Sequence, residues 1–444
     1  MRRARRRATT LALRTPSDSF FVSAQRLSHL PRKPLRPYDL RPGRTPCFFI
    51  LKVPMIFSRS RSVAVALAYV FSAGIALAQT PIKIGYLGTL SGPVSPLGQD
   101  MYDGFLLGIE QNGGKLGGTP VQVIKEDDQF KPEVALQIVN RMIEKDKVSI
   151  ITGITGSNVM MAVNKSITSK EVFLVGANAG PSPLAGAQCS PYQFVSSWQN
   201  DSWAEAAGKY ANDKGYKRMV LVATNYQAGK DAVNGFKKYF KGVVVDEIYP
   251  GITQPDFSAE MTQIASQKPD ATFAFIPTAN INFIRQYQLA GLSKTVPLLT
   301  VGMADATTLG ALKDAALGIQ SVHFWAPDTD NPVSRQFVDA FEKKYGRIPS
   351  NYAAQGYDSA LLLDTAIARV KGEVGNKKAF MAALKQGSAK SVRGSLKFNN
   401  NNFPINDWYA FEVAKDAKGR VSLKTVATPL KDYQDSYHTQ CTMK

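Results

Sequence analysis

The chain has 444 residues, 44% of them apolar and 20% charged, which excludes a disordered or fibrous protein and is enough for two domains with sizeable cores. Its formal charge of +19 invites a nucleic-acid reading, but residues 1–54 alone carry 11 Arg and 2 Lys against Asp18 and Asp39. Residues 79–444 hold 39 basic and 33 acidic side chains with no concentrated basic stripe, so nucleic acid is excluded as a partner.

Residues 1–54 are Arg- and Pro-rich and have neither helical nor strand period. They read as a leader from a translation start placed too far upstream, with a disordered basic or transit-like arm as the alternative. Residues 55–78 read as a secretory signal peptide: Met55, then Arg59 and Arg61, an apolar stretch from Val63 to Ile75, and the small-residue site Ala76-Leu77-Ala78. A membrane-spanning helix is the competing reading, but the uncharged run from Ser62 to Ala78 falls short of the ~20 residues a bilayer requires. Cleavage before Gln79 and export to an oxidising compartment are expected. Only Cys189 and Cys441 then remain, either as one disulfide closing a loop of about 250 residues or as two inert thiols.

From Thr80 the pattern alternates. Strands are expected at 82–90, 121–127, 148–154 and 172–177, and a second set at 218–224, 243–249, 271–277, 296–302 and 318–324, with amphipathic helices between. In the helix after Pro132, Val134, Ile138, Met142 and Ile143 share a face. Alternation of this kind specifies an α/β fold with parallel sheets. The two sets imply two lobes, changing near 194–201, where Asn200 or Asp201 is expected to cap the next helix. Two further helices follow, over "NPVSRQFVDAFEKKYG" and "YAAQGYDSALLLDTAIARV", and the chain closes in β-hairpin strands around Asn- and Gly-rich turns.

The usual equipment of catalysis is missing from the sequence after residue 78. His323 and His438 are its only histidines, and no metal-ligand spacing, nucleophile elbow or phosphate loop occurs. Neither enzyme activity, metal nor cofactor is expected; Asp127 and Asp128 read as a solvated strand end. The strand ends carry more information. Leu90-Ser91-Gly92-Pro93, Thr155-Gly156-Ser157 and Gly176 to Gly180 are small polar loops at the carboxyl ends of strands, where open α/β sheets collect ligands. Each precedes a helix whose unpaired N–H groups and dipole favour an anion, so a carboxylate is the natural guest.

The stretch "IKIGYLGTLSGPVSPLGQDMYDGFLLGIEQNGG" with "DDQFKPEVALQIVNRMI" resembles the type I periplasmic binding proteins, specifically the leucine/isoleucine/valine-binding group of ABC importer components. "DFSAEMTQI" (256–264) and "YDSALLL" (357–363) carry the resemblance on, over roughly 79–430. It implies two Rossmann-like lobes joined by a hinge of three crossings, here 79–199 with 325–404 and 200–324 with 405–444. It also implies that the compartment is the periplasm, and a monomer that hands a small-molecule ligand to an inner-membrane ABC permease. By resemblance the ligand carboxylate falls to Ser157, Asn158, Ala177, Asn178 and Ala179, and Tyr226 closes from the second lobe.

Two departures bear on the ligand. Met303 stands near the position where amino-acid binders place a carboxylate for the ammonium, and Leu97 replaces an aromatic cover. A buried ammonium without a carboxylate costs several kcal/mol. Leu97, Met160, Met161, Met303 and Tyr226 are therefore expected to line an apolar pocket for an apolar or aromatic carboxylic acid, although either of Met160 and Met161 reads equally as core filler. A branched-chain or other amino acid is the alternative, with Asp305 supplying the carboxylate; a sensory ligand-binding module is a further one.

Overall fold

The computed structural model describes residues 80–443, so the expected leader (1–54) and signal peptide (55–78) lie outside the described residues. All nine strands expected from the alternating pattern form, eight of them shorter by one to three residues and β3 longer by two, because apolar β-branched runs flanked by Gly and polar turns can bury both faces only in the middle of a parallel sheet. The first part runs β1 (Ile82–Gly88), α1 (Ser95–Gln111), β2 (Lys115–Leu116), β3 (Thr119–Asp127), α2 (Pro132–Glu144), β4 (Ile150–Gly153), α3 (Ser157–Thr168), β5 (Phe173–Gly176), α4 (Ser182–Ala185) and β6 (Gln193–Val195). Its sheet has the order β2-β3-β1-β4-β5-β6 and is parallel except for β2.

The second part runs α5 (Asn200–Asp213), β7 (Arg218–Ala223), α6 (Gln227–Tyr239), β8 (Val243–Ile248), α7 (Ser258–Gln267), β9 (Ala271–Phe275), α8 (Asn280–Leu289), β10 (Leu298–Val301), α9 (Ala306–Leu312) and β11 (Gln320–His323). The chain then forms α10 (Pro332–Tyr345), α11 (Asn351–Arg369), α12 (Lys377–Lys385), β12 (Ser388–Ser391), β13 (Gly394–Phe398), β14 (Pro404–Lys415) and β15 (Val421–Tyr433). Helices α11 and α12 return to the first sheet's layer, where α11 packs along α1. The second sheet is ordered β13-β14-β11-β10-β9-β7-β8, with the hairpin strand β12 outside β13 and β15 on β14. As expected of the closing hairpin strands, β14 and β15 run antiparallel to their neighbours.

Both sheets have a topological switch point, where β1 lies between β3 and β4 and β7 lies between β8 and β9. The carboxyl ends of these strands are where a ligand crevice opens. Two glycines bring the adjoining helices there. A Cβ on Gly98 of α1 would lie 1.9 Å from the Thr89 carbonyl oxygen, and one on Gly229 of α6 would lie 1.9 Å from that of Thr224. Only glycine lets each helix start directly on its strand end.

The chain passes between the two layers at residues 196–199, after β11 from Phe324, and between α12 and β12, since β13 and β14 belong to one sheet. The residues expected to cap α5 do not do so. Gln199 is the N-cap, its side chain accepting from Ser202 N–H, which frees Asn200 and Asp201 for other contacts. Helix α2 buries Ala135, Ile138, Val139 and Met142, while Val134 and Ile143 are only partly covered, a stripe rotated slightly from the expected one. Asp127 and Asp128 are not a solvated strand end either. Asp128 is buried and accepts from Thr89 Oγ1 (2.6 Å) and Phe130 N–H (2.8 Å), and Asp127 accepts from Leu90 N–H (2.8 Å), so the pair ties the loops after β1 and β3 together. The open question of the cysteines is resolved in favour of a disulfide between Cys189 and Cys441, across 252 positions.

Candidate functional site

A cleft of about 560 Å³, part of it open to solvent, lies between the two switch points. From the first sheet it receives Val94 and Leu97 at the start of α1, Phe130 after β3, Thr155 and Ser157 after β4, and Asn178 and Ala179 after β5. From the second it receives Tyr226 after β7, Phe275 and Pro277 from β9 and beyond, and Val301. Trp198, Asn200 and Trp203 come from the first crossing and α5, and Tyr352 from α11.

Six aromatic rings line it. Trp198 and Trp203 lie with centroids 4.3 Å apart, Tyr226 stacks on Phe275 at 6.3 Å and 10° between planes, and Phe130 meets Tyr226 edge-on at 6.3 Å. Flat faces of this kind suit a ring inserted between them. The polar end is set by α3. Its N-cap is Gly156, which offers no capping side chain, so the first N–H groups and the positive end of the dipole face outward beside Ser157. Ser157 Oγ accepts from Asn200 Nδ2 at 3.0 Å, which leaves its own hydrogen to donate elsewhere. The residue before this turn, Ile154, is held at φ 65, a conformation that costs a β-branched side chain energy and is tolerated where the surrounding bonds impose it, here Ile154 N–H to Leu87 O.

Helix α6 also starts uncapped at Tyr226. The Tyr226 hydroxyl and the Trp198 indole N–H have no hydrogen-bond partner among the described residues, although both side chains line the cleft. None of the residues lining it carries an ionisable carboxylate, amine, guanidinium or imidazole.

Of the residues expected from sequence, Leu97, Ser157, Asn178, Ala179 and Tyr226 come together here. Asn178 spends its side chain on the scaffold, donating to Thr155 O at 2.6 Å and accepting from Gln355 at 2.7 Å. The N–H groups of Ala177 and Ala179 are taken by Gly153 O and Ile154 O, so neither is free for a carboxylate. Asn158 turns away and donates to Phe130 O at 3.2 Å. Met303 requires correction: it is fully buried in the second sheet's outer core, where its sulfur accepts from Ile276 N–H at 3.1 Å. Asp305 does as well. It caps α9, accepting from Thr307 N–H at 2.7 Å and from the Thr307 hydroxyl, and burial raises its carboxyl to about 6. Met160 and Met161 pack into the first sheet's core rather than the cleft.

Sequence reading missed Trp198, Asn200, Trp203, Phe130, Phe275 and Tyr352. One signal was present: half of the chain's 4 tryptophans fall within "WQNDSW" (198–203), which overlaps the stretch 194–201 assigned only to the change of lobe.

The family described as Periplasmic binding protein matches residues 81–419. The Leu/Ile/Val-binding protein homolog 6 of Brucella suis biovar 1 is 28% identical over 380 residues, covering 83% of this chain and 97% of its own. A solute-binding protein of an ABC transporter from R. palustris, solved in complex with benzoate, is 31% identical with a TM-score of 0.77, covering 82% of this chain and 100% of that one. A second, from Rhodopseudomonas palustris BisB5 in complex with 3,4-dihydroxybenzoic acid, is 26% identical with a TM-score of 0.75, covering 80% and 99%.

Proposed function

This chain belongs to the periplasmic binding protein family, as a substrate-binding protein of the ABC transporters that serve branched-chain amino acids and related solutes, and from that membership we propose that its cleft captures an aromatic or apolar monocarboxylate. The observation that carries this is the composition of the cleft: stacked rings, an uncapped helix N-terminus with Ser157, and no ionised side chain among the lining residues. A carboxylate is held there by neutral donors and the α3 dipole, as anions are at helix N-termini. A ring burying about 100 Å² of apolar surface contributes roughly 2 to 3 kcal/mol. An α-ammonium finds no carboxylate, because Asp305 is occupied as a cap and faces another cavity.

Benzoate and 3,4-dihydroxybenzoic acid in the two R. palustris proteins support the same ligand class for this one. The ligand passes to an inner-membrane ABC permease, the protein acts as a monomer in the periplasm, and its mature chain starts at Gln79 after signal cleavage. A branched-chain amino acid is the second reading, favoured by the Brucella relative and by aromatic faces that also attract cations. A thermal-shift screen decides between them: stabilisation by benzoate-type acids and not by leucine is expected, and the reverse would restore the amino-acid reading.

A further inference from the structure

Ser182 and Asp231 stand on opposite sides of the cleft. Ser182 opens α4, after β5 of the first sheet, and Asp231 lies on α6, after β7 of the second. The two residues are joined twice: Ser182 Oγ donates to the Asp231 carboxylate at 2.8 Å and Ser182 N–H donates to it at 3.3 Å. Asp231 is 2% exposed and accepts two more bonds, from Gln227 Nε2 at 2.7 Å and Asn200 Nδ2 at 2.9 Å. Asn200 is the shared member. The same amide nitrogen donates to Ser157 Oγ at 3.0 Å, while its oxygen accepts from Gly180 N–H at 3.1 Å, so its orientation is fixed at both ends.

We propose that Asp231 is a positioning residue that couples ligand capture to lobe closure. Its carboxylate latches α4 to α6 and, through Asn200, turns the Ser157 hydroxyl hydrogen toward the cleft. Separating the sheets breaks both Ser182 bonds and exposes the carboxylate to water, so the bonds exist only in the closed form. A ligand that occupies Ser157 strengthens the Asn200 contact and lengthens the life of that form. The latch itself does not depend on the ligand's identity; only the link to Ser157 rests on the reading proposed above.

The test compares Ser182→Ala, Asp231→Ala and the double variant with the unmodified protein. Small-angle scattering without ligand is expected to shift toward the open form in all three, with melting temperatures recorded alongside. Stopped-flow with sodium benzoate is expected to show dissociation about ten- to a hundredfold faster in Asp231→Ala, with association changing less. The double variant is expected to match Asp231→Ala alone, since the two residues share one interaction. Superimposable scattering profiles, or variants that lower the melting temperature while leaving scattering and dissociation unchanged, overturn the latch. If the unmodified protein binds neither benzoate nor leucine, the ligand reading falls, and the scattering comparison still decides the latch.

Discussion

Asp358 and Arg393 form an enclosed ion pair, 3.0 Å from carboxylate Oδ2 to guanidinium Nε, beside the segments that leave β6 and β11. The remaining guanidinium hydrogens reach Ser196 O (2.8 Å) and Ser197 O (3.1 Å) in the first crossing and Asn406 Oδ1 (2.7 Å) at the start of β14, and the guanidinium lies 4.0 Å over the Phe324 ring, where the second crossing leaves β11. A single planar fork thus ties α11, the segment after β6 and the start of β14 together, a task for which lysine lacks the geometry.

Arg393→Ala strands the Asp358 carboxylate in the interior. The expected loss is about 3 to 5 kcal/mol, read from the urea midpoint. Arg393→Lys keeps the charge and is expected to recover only part of it. An unchanged midpoint in the alanine variant would refute the clamp.

Ser157→Ala removes one charge-assisted hydrogen bond to a bound carboxylate. Calorimetry with benzoate is expected to show binding weaker by roughly 1.5 to 3 kcal/mol, one to two decades in affinity. Neutral benzamide is expected to bind poorly to both proteins; equal affinity for acid and amide would show that no anion site exists.

Met303→Glu is a test of placement. Were Met303 in the cleft, the variant would alter selectivity; in the outer core, beside Ile276, it introduces a charge with no partner. The expected outcome is therefore a large fall in melting temperature, while Met303→Leu costs less than about 1.5 kcal/mol and leaves ligand preference unchanged. A folded glutamate variant with altered selectivity would return Met303 to the site.

Stability is expected to fall as pH rises. Burial, joined by the charge of Asp231, raises the Asp201 carboxyl from its ordinary 3.8 to about 8. Between those values the folded protein holds a proton that the unfolded chain has released, so this stabilisation is complete below about pH 4 and lost as pH rises through about 8. Melting temperatures across that range should decline, and Asp201→Asn should flatten the decline. A slope identical in both proteins would rule out Asp201 as its source.

The strands and long helices were legible because each is specified by its own period: "VFLVGA" has no use except as a doubly covered strand, and Gly98 and Ser157 sit at strand ends by simple order in the chain. What was not legible depended on partners far away in sequence. Whether Met303 faces the cleft or the core is decided by Ile276, whereas Asp305 is a local case, capped onto Thr307 only two positions on. Trp198 and Trp203 enter the site because the first crossing bends against Phe324 and Val322, contacts more than a hundred positions away. Gln199 is also a local case: it caps through Ser202 N–H, whereas propensity alone favoured Asn200 or Asp201.

The bond between Cys189 and Cys441 also orders events in time. A chain emerges from its N-terminal end, so Cys189 is delivered 252 positions before the partner it needs, when β7 to β15 do not yet exist. The cross-link can form only once Cys441 has been made, and its presence in a molecule therefore records that synthesis ran through to that residue.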